Sequence, residues 1–164
     1  MADTSTASLA AARAFLAEDP DPETRGELEA LLRSAEDGDA AALGEIADRF
    51  SGPLEFGTAG LRGRVGAGIA RMNRLVVMKA TWGLGRHLLE SVEDSRERGV
   101  VVGFDGRPTS RRFAEDAAAV LAGLGIPAHL FPDPVPTPLV SFAVPQLGAV
   151  MGVVVTASHN PPED

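Results

Sequence analysis

Apolar residues along this chain follow two rhythms, and the alternation between them predicts the elements. Ala149 to Val155 is continuously apolar and rich in β-branched residues, which predicts a strand buried on both faces. Gly99 to Phe104, with Val100-Val101-Val102 at its centre, predicts another, and Ile126 to Phe131 a third. Leu54 to Gly57 predicts a short fourth strand. Helical spacing fills the intervals. Residues 1–5 are expected to be disordered, and Ser8 to Ala17 is Ala-rich and helical. Asp21 or Pro22 opens a second helix to about Glu36, with Leu28, Leu31 and Leu32 on one face. Asp39 caps a third to about Phe50, with Leu43, Ile46 and Phe50 turned inward, and Ser51-Gly52-Pro53 breaks it. Asn73 caps a long helix to about Arg96, whose stripe is Val76, Val77, Ala80, Leu84, Leu88 and Leu89. Ser110 caps the next, to Leu124, with Phe113, Ala117, Val120 and Leu121 inside. Pro132, Pro134, Pro136 and Pro138 stiffen a loop, and Thr137 caps a short helix to about Gln146. Strands alternating with helices predict an α/β sandwich, and no internal repeat is evident.

Two stretches stand out against this pattern. Gly57, Gly60, Gly63, Gly66 and Gly68 make a glycine-rich loop with Thr58 and Arg62 inside it. Its spacing is neither a nucleotide P-loop nor a dinucleotide fingerprint. The second stretch is Thr156-Ala157-Ser158-His159-Asn160-Pro161, directly after the last strand. Asn160-Pro161 forces the chain out of regular structure, so Ser158 and His159 sit where a strand opens to the surface. Ligands of open α/β sheets bind beyond the carboxyl ends of strands, and Ser158 has that position. Asp105-Gly106-Arg107 follows another strand in the same way. Trp82 and His87 are read as packing or surface residues, and His129, within its strand, as structural.

Charge sharpens the picture. The 164 residues carry a net charge of −8, and residues 1–50 hold all of it, with twelve acids against four bases. From Gly57 to Leu89 there are six bases (Arg62, Arg64, Arg71, Arg74, Lys79 and Arg86) and no acid. The acidic balance argues against a nucleic-acid partner. The local basic segment points to a small anion, since a phosphate seeks guanidinium donors; a solvated surface is the plain alternative. With no cysteine there is neither a disulfide framework nor a thiolate metal site, which suits a cytoplasmic setting. No secretory signal is visible, and no apolar run is long enough to cross a bilayer.

Phe56-Gly57-Thr58-Ala59-Gly60-Leu61-Arg62-Gly63 resembles the N-terminal active-site loop of the α-D-phosphohexomutase superfamily. Thr156 to Pro161 resembles that family's phosphoserine loop, and the order and spacing of the two blocks match its first domain. The spelling of the first block is similar to the branch of bacterial phosphoglucomutase/phosphomannomutases and phosphopentomutases. The resemblance covers about residues 20 to 164. It implies a three-layer α/β/α sandwich with a mixed sheet over residues 51–164, ending just after the serine loop. Residues 1–50 form an N-terminal helical extension before it.

The resemblance also implies roles. Ser158 carries the phosphoryl group: it phosphorylates a sugar monophosphate, and the bisphosphate formed then returns its other phosphate to the serine. The net result moves phosphate between the C1 and C6 hydroxyls, or C5 in pentoses. Arg62 partners the phosphates. His159 is a candidate to orient substrate or assist proton transfer, with a helper role in the turn as the alternative. Thr58, Arg107 and Asn160 are candidate substrate-binding or loop-shaping residues. Magnesium is expected on the Ser158 phosphate, and a sugar 1,6-bisphosphate as activator. The family's magnesium carboxylates, sugar-recognition loop and last phosphate loop belong to three further domains, and so do the partners expected in cis. This chain therefore reads as the first domain of a mutase, and a catalytically inactive sugar-phosphate-binding fragment is the alternative. A serine hydrolase is disfavoured: the Gly-x-Ser-x-Gly elbow is absent, and adjacent residues such as Ser158 and His159 rarely form a nucleophile–base pair.

Overall fold

The computed structural model describes residues 2–58 and 60–157, with side chains described from residue 6 onward. It divides into two compact units, residues 1–76 and the chain from residue 77.

The first unit opens with three helices, α1 (Ala2–Glu18), α2 (Pro22–Glu36) and α3 (Ala40–Arg49). The first begins at Ala2, earlier than the Ser8 start and disordered residues 1–5 expected from the sequence. The Asp21 carboxylate accepts from the Glu23 amide, and Asp39 accepts from the Ala41 and Ala42 amides, so both helices start on a side-chain cap. Their apolar stripes meet in one core of Ala12, Phe15, Leu28, Leu32, Ala35, Ala42, Ile46 and Phe50. Phe15 and Phe50 pack edge to face, with ring centroids 5.8 Å apart. The same core takes in Ala67 and Leu75, so it does not stop at residue 50. Between Phe50 and Ala67 in the chain lies a small antiparallel hairpin, β1 (Phe56–Gly57) and β2 (Gly60–Leu61). It replaces the longer strand expected from Leu54.

The second unit is built on a three-stranded parallel sheet, order β4-β3-β5, from β3 (Val100–Phe104), β4 (Ala128–Leu130) and β5 (Met151–Val155). Helix α4 (Arg74–Ser91) runs up to it, and the short α5 (Ser95–Arg98) follows. The expected helix to Arg96 stops early because no apolar residue extends the stripe beyond Val92, and Asp94 turns left-handed at φ 60°. Helix α6 (Ser110–Gly123) links β3 to β4, and α7 (Thr137–Leu147) links β4 to β5. Val100, Val102 and Phe104 face a core with Leu88, Ala114 and Leu121, while Val101 faces Val140 and Ala149. Helices therefore cover both faces of the sheet, and the unit is an α/β/α sandwich. The expected mixture of pairing senses is present, distributed between two separate sheets.

Three expectations need correction here. Complete burial belongs to β3, the central strand; β5 has one neighbour in the described sheet and is only half-buried. Ser110 does not cap α6 from outside: Thr109 holds that position, and Ser110 lies within the helix. Thr137 is likewise inside α7, with Pro136 before it. Asn73 does cap α4, accepting from the Val76 amide at 3.0 Å.

Candidate functional site

In the second unit the parallel register places Phe104 beside Val155, so β3 and β5 end at one edge of the sheet. The next residue of β3, Asp105, donates its amide to the Val155 carbonyl at 3.0 Å. Its carboxylate accepts from the Ser110 hydroxyl at 2.6 Å and from the Arg107 amide at 3.2 Å. The Arg107 guanidinium donates to the other carboxylate oxygen. A further side-chain hydrogen bond joins Asp105 to Thr156, the first residue beyond β5. Burial opposes ionisation of Asp105, but the donors from Ser110, the Arg107 amide, Thr156 and the Arg107 guanidinium outweigh it. The carboxyl is held below its ordinary range. Asp105 thus ties together the end of β3, the start of α6 and the exit from β5. Thr156 was not singled out as a candidate in the sequence, because its partner stands 51 residues earlier and only the register brings them together.

Arg107, a candidate for substrate binding, sits in this knot with its guanidinium engaged by Asp105 and its side chain only 13% exposed. Ser158, His159 and Asn160 follow Thr156 by two to four positions and lie outside the described residues.

In the first unit the β1–β2 hairpin presents the other candidates. Thr58 is exposed in its turn. Gly60, at φ 98°, adopts a backbone that residues with a side chain rarely reach, so the tight turn requires glycine there. Arg62 leaves β2 exposed to solvent, with no ion pair or hydrogen bond to any described residue. Arg64 is exposed as well. The basic segment read from the sequence is therefore not uniform. Arg71 pairs with Asp48 and Glu45, acids supplied by α3, and Arg86 pairs with Glu90. Trp82 and His87 are exposed on α4, with Arg86 over the Trp82 ring at 5.9 Å. Of the two arginines nearest the hairpin, Arg62 offers a planar fork of donors that no described residue engages, the chemistry a phosphate oxygen pair accepts.

Among the described residues no group of three or more His, Cys, Asp or Glu could hold a metal ion. The described side chains do not build a magnesium cage. No helix among them is long and apolar enough to cross a membrane.

Comparison with known proteins shows the family. The phosphoglucomutase/phosphomannomutase alpha/beta/alpha domain I matches residues 53–164. The chain belongs to this family. Human phosphopentomutase is 42% identical over 143 residues, which span 84% of this chain and 23% of that protein. Mouse glucose 1,6-bisphosphate synthase is 42% identical over 152 residues, 89% of this chain and 24% of the relative. Saccharomyces cerevisiae phosphoribomutase is 41% identical over 150 residues, 90% and 23% respectively. A crystal structure from Thermus thermophilus, described as a phosphomannomutase, shares 44% identity with a TM-score of 0.59, covering 68% of this chain and 24% of that one. The chain thus spans about a quarter of the length of these relatives. The matched stretch contains both the Arg62 hairpin and the strand that leads to Ser158.

Proposed function

We propose that this chain is the first domain of a phosphosugar mutase and supplies its phosphoryl carrier. The observation that carries the reading is the family match over residues 53–164, which includes both candidate loops. Ser158 holds the phosphoryl group as a phosphoserine. Its phosphorus–oxygen bond to the serine breaks as a sugar monophosphate hydroxyl attacks, giving a sugar bisphosphate. The serine oxygen then takes the other phosphoryl group, and the isomeric monophosphate leaves. Such transfer is mostly positioning and charge neutralisation, so an exposed arginine fork and a serine three residues after a strand in the sequence suit it. Arg62 supplies the fork, and Asp105 anchors the chain two residues before the serine. His159 orients substrate or assists proton transfer. Thr58, Arg107 and Asn160 contact the sugar phosphate or shape the loops.

Magnesium and a sugar 1,6-bisphosphate activator belong to the same proposal, with the carboxylate ligands outside these residues. So do further domains in cis and a cytoplasmic location. The names of the relatives make pentose and hexose phosphates the first substrates to assay. The test is peptide mass spectrometry of the longer enzyme after incubation with glucose 1,6-bisphosphate and magnesium. A phosphoryl group on Ser158 is expected; an enzyme that turns over while Ser158 stays unmodified contradicts the proposal. The 164-residue chain alone is expected to give no interconversion of sugar phosphates. Robust turnover by it would overturn the division of the site among several domains.

A further inference from the structure

The three N-terminal helices carry no catalytic motif, yet they hold the glycine-rich segment by its backbone. The Glu27 carboxylate of α2 accepts from the Ala67 amide at 3.0 Å. Arg49, the last residue of α3, donates to the Ala67 carbonyl at 3.2 Å. Glu27 and Arg49 also pair with each other at 2.7 Å, closing a ring around the backbone of Ala67. Arg49 is only 13% exposed and has a further partner in Glu45 at 2.8 Å.

The clamp extends along the segment. The Ala70 amide donates to the Arg49 carbonyl, and the Leu54 amide to the Ile69 carbonyl. Gly68, at φ 122°, runs so close to Arg49 that a Cβ there would lie 2.8 Å from the Arg49 carbonyl oxygen. The buried Asn73 amide donates to the carbonyls of Gly66 and Gly68 at 3.0 and 2.8 Å. The Met72 amide reaches back to the Arg64 carbonyl at 2.8 Å. Arg62 is the exposed side chain two residues before that last tie.

We propose that Glu27 and Arg49 are positioning residues: by holding both polar groups of Ala67 they fix the glycine-rich segment and so the place where Arg62 meets an anion. This rests on the reading of Arg62 as a phosphate partner. An extension that merely covered apolar surface would need Leu28 and Ile46, but no carboxylate aimed at a loop amide. The charged groups around Glu27 are Arg49 and Glu45 of α3 and Arg71 of the segment itself. Burial opposes ionisation of Glu27, while Arg49, the Ala67 amide and Arg71 outweigh it and keep the carboxyl below its ordinary range. A carboxyl depressed in the folded state stabilises it above the ordinary glutamate value and loses that contribution as pH falls through the lowered one.

The experiment is amide hydrogen exchange by NMR on this chain, combined with titration by inorganic phosphate read at the Arg62 Nε–H. In Glu27→Ala the Ala67 amide is expected to exchange at least about tenfold faster, the worth of one charge-assisted hydrogen bond. The Val101 and Val102 amides should stay as in wild type, and the phosphate response at Arg62 should shrink. In wild type, Ala67 exchange corrected for its intrinsic pH dependence should rise as acid protonates Glu27; Glu27→Gln should abolish that rise. Plain packing would leave the pH profile of the two proteins alike. Unchanged Ala67 exchange in Glu27→Ala, or a Glu27→Gln profile matching wild type, overturns the proposal. The Gln variant and the wild-type profile decide it should the Ala variant fail to fold. An Arg62 Nε–H indifferent to phosphate in wild type would sink the phosphate reading of Arg62 while leaving Ala67 exchange to judge the clamp.

Discussion

At the scale of single residues, pairing separates an arginine that is free to meet a ligand from one that is committed. Arg71 is occupied by Asp48 and Glu45, and Arg107 by Asp105, whereas Arg62 stands exposed without a described partner. Arg62→Lys keeps the charge but loses the fork. In the longer enzyme kcat/KM is expected to fall about tenfold or more, the cost of one lost charge-assisted hydrogen bond, with the melting temperature unchanged. An unchanged rate would return Arg62 to the solvated surface. Asp105 is the complementary case. Asp105→Ala leaves the buried Ser110 hydroxyl without its acceptor and releases Thr156, and should cost about 1–3 kcal/mol in urea unfolding at pH 7. The Asp105 carboxyl is depressed in the fold, so its contribution is present above the ordinary aspartate value and lost as pH falls through the lowered one. The gap between wild type and variant should therefore close toward acid. A gap independent of pH would mean that the carboxylate charge plays no part.

At the scale of elements, close approach between helix and sheet sets the constraints. Gly103 of β3 lies under α7 so tightly that a Cβ would sit 2.3 Å from a Val140 methyl carbon. Gly103→Ala should destabilise the chain by about 1–3 kcal/mol, as overpacking does. A variant as stable as wild type in urea would show that α7 moves freely over the sheet. This contact was not legible in the sequence, where Gly103 is one glycine in a strand. The elements themselves were legible wherever one rhythm persisted. The boundaries of α2 at Pro22 and Glu36 and the caps Asp21, Asp39 and Asn73 follow from local chemistry that a sequence displays. Where α4 stops was less so, because Glu93 to Arg98 carries good helix formers and the break depends on a left-handed Asp94. The burial of β5 was overestimated because an apolar run does not say how many neighbours a strand has. Of the candidate site, the two loops and Arg62 were proposed from spelling alone. The partners of the backbone could not be: Glu27 meets Ala67 across 40 positions, and nothing local marks either residue for the other.

At the scale of the whole molecule, the chain belongs to a mutase family and spans about a quarter of the length of its relatives. Its acidic helices lend carboxylates to Arg49, to Arg71 and to the Ala67 amide, so the charge imbalance between residues 1–50 and the rest has a structural use in Glu27, Glu45 and Asp48. The central claim is that Ser158 is the phosphoryl carrier of a longer enzyme. The most direct measurement is turnover of the full-length protein bearing Ser158→Ala, assayed with magnesium and glucose 1,6-bisphosphate on glucose 1-phosphate, mannose 1-phosphate and ribose 1-phosphate. Loss of a covalent carrier removes the step itself, so a fall of about a thousandfold or more is expected on whichever sugar the wild type uses. Wild-type rates in the Ser158→Ala protein would contradict it.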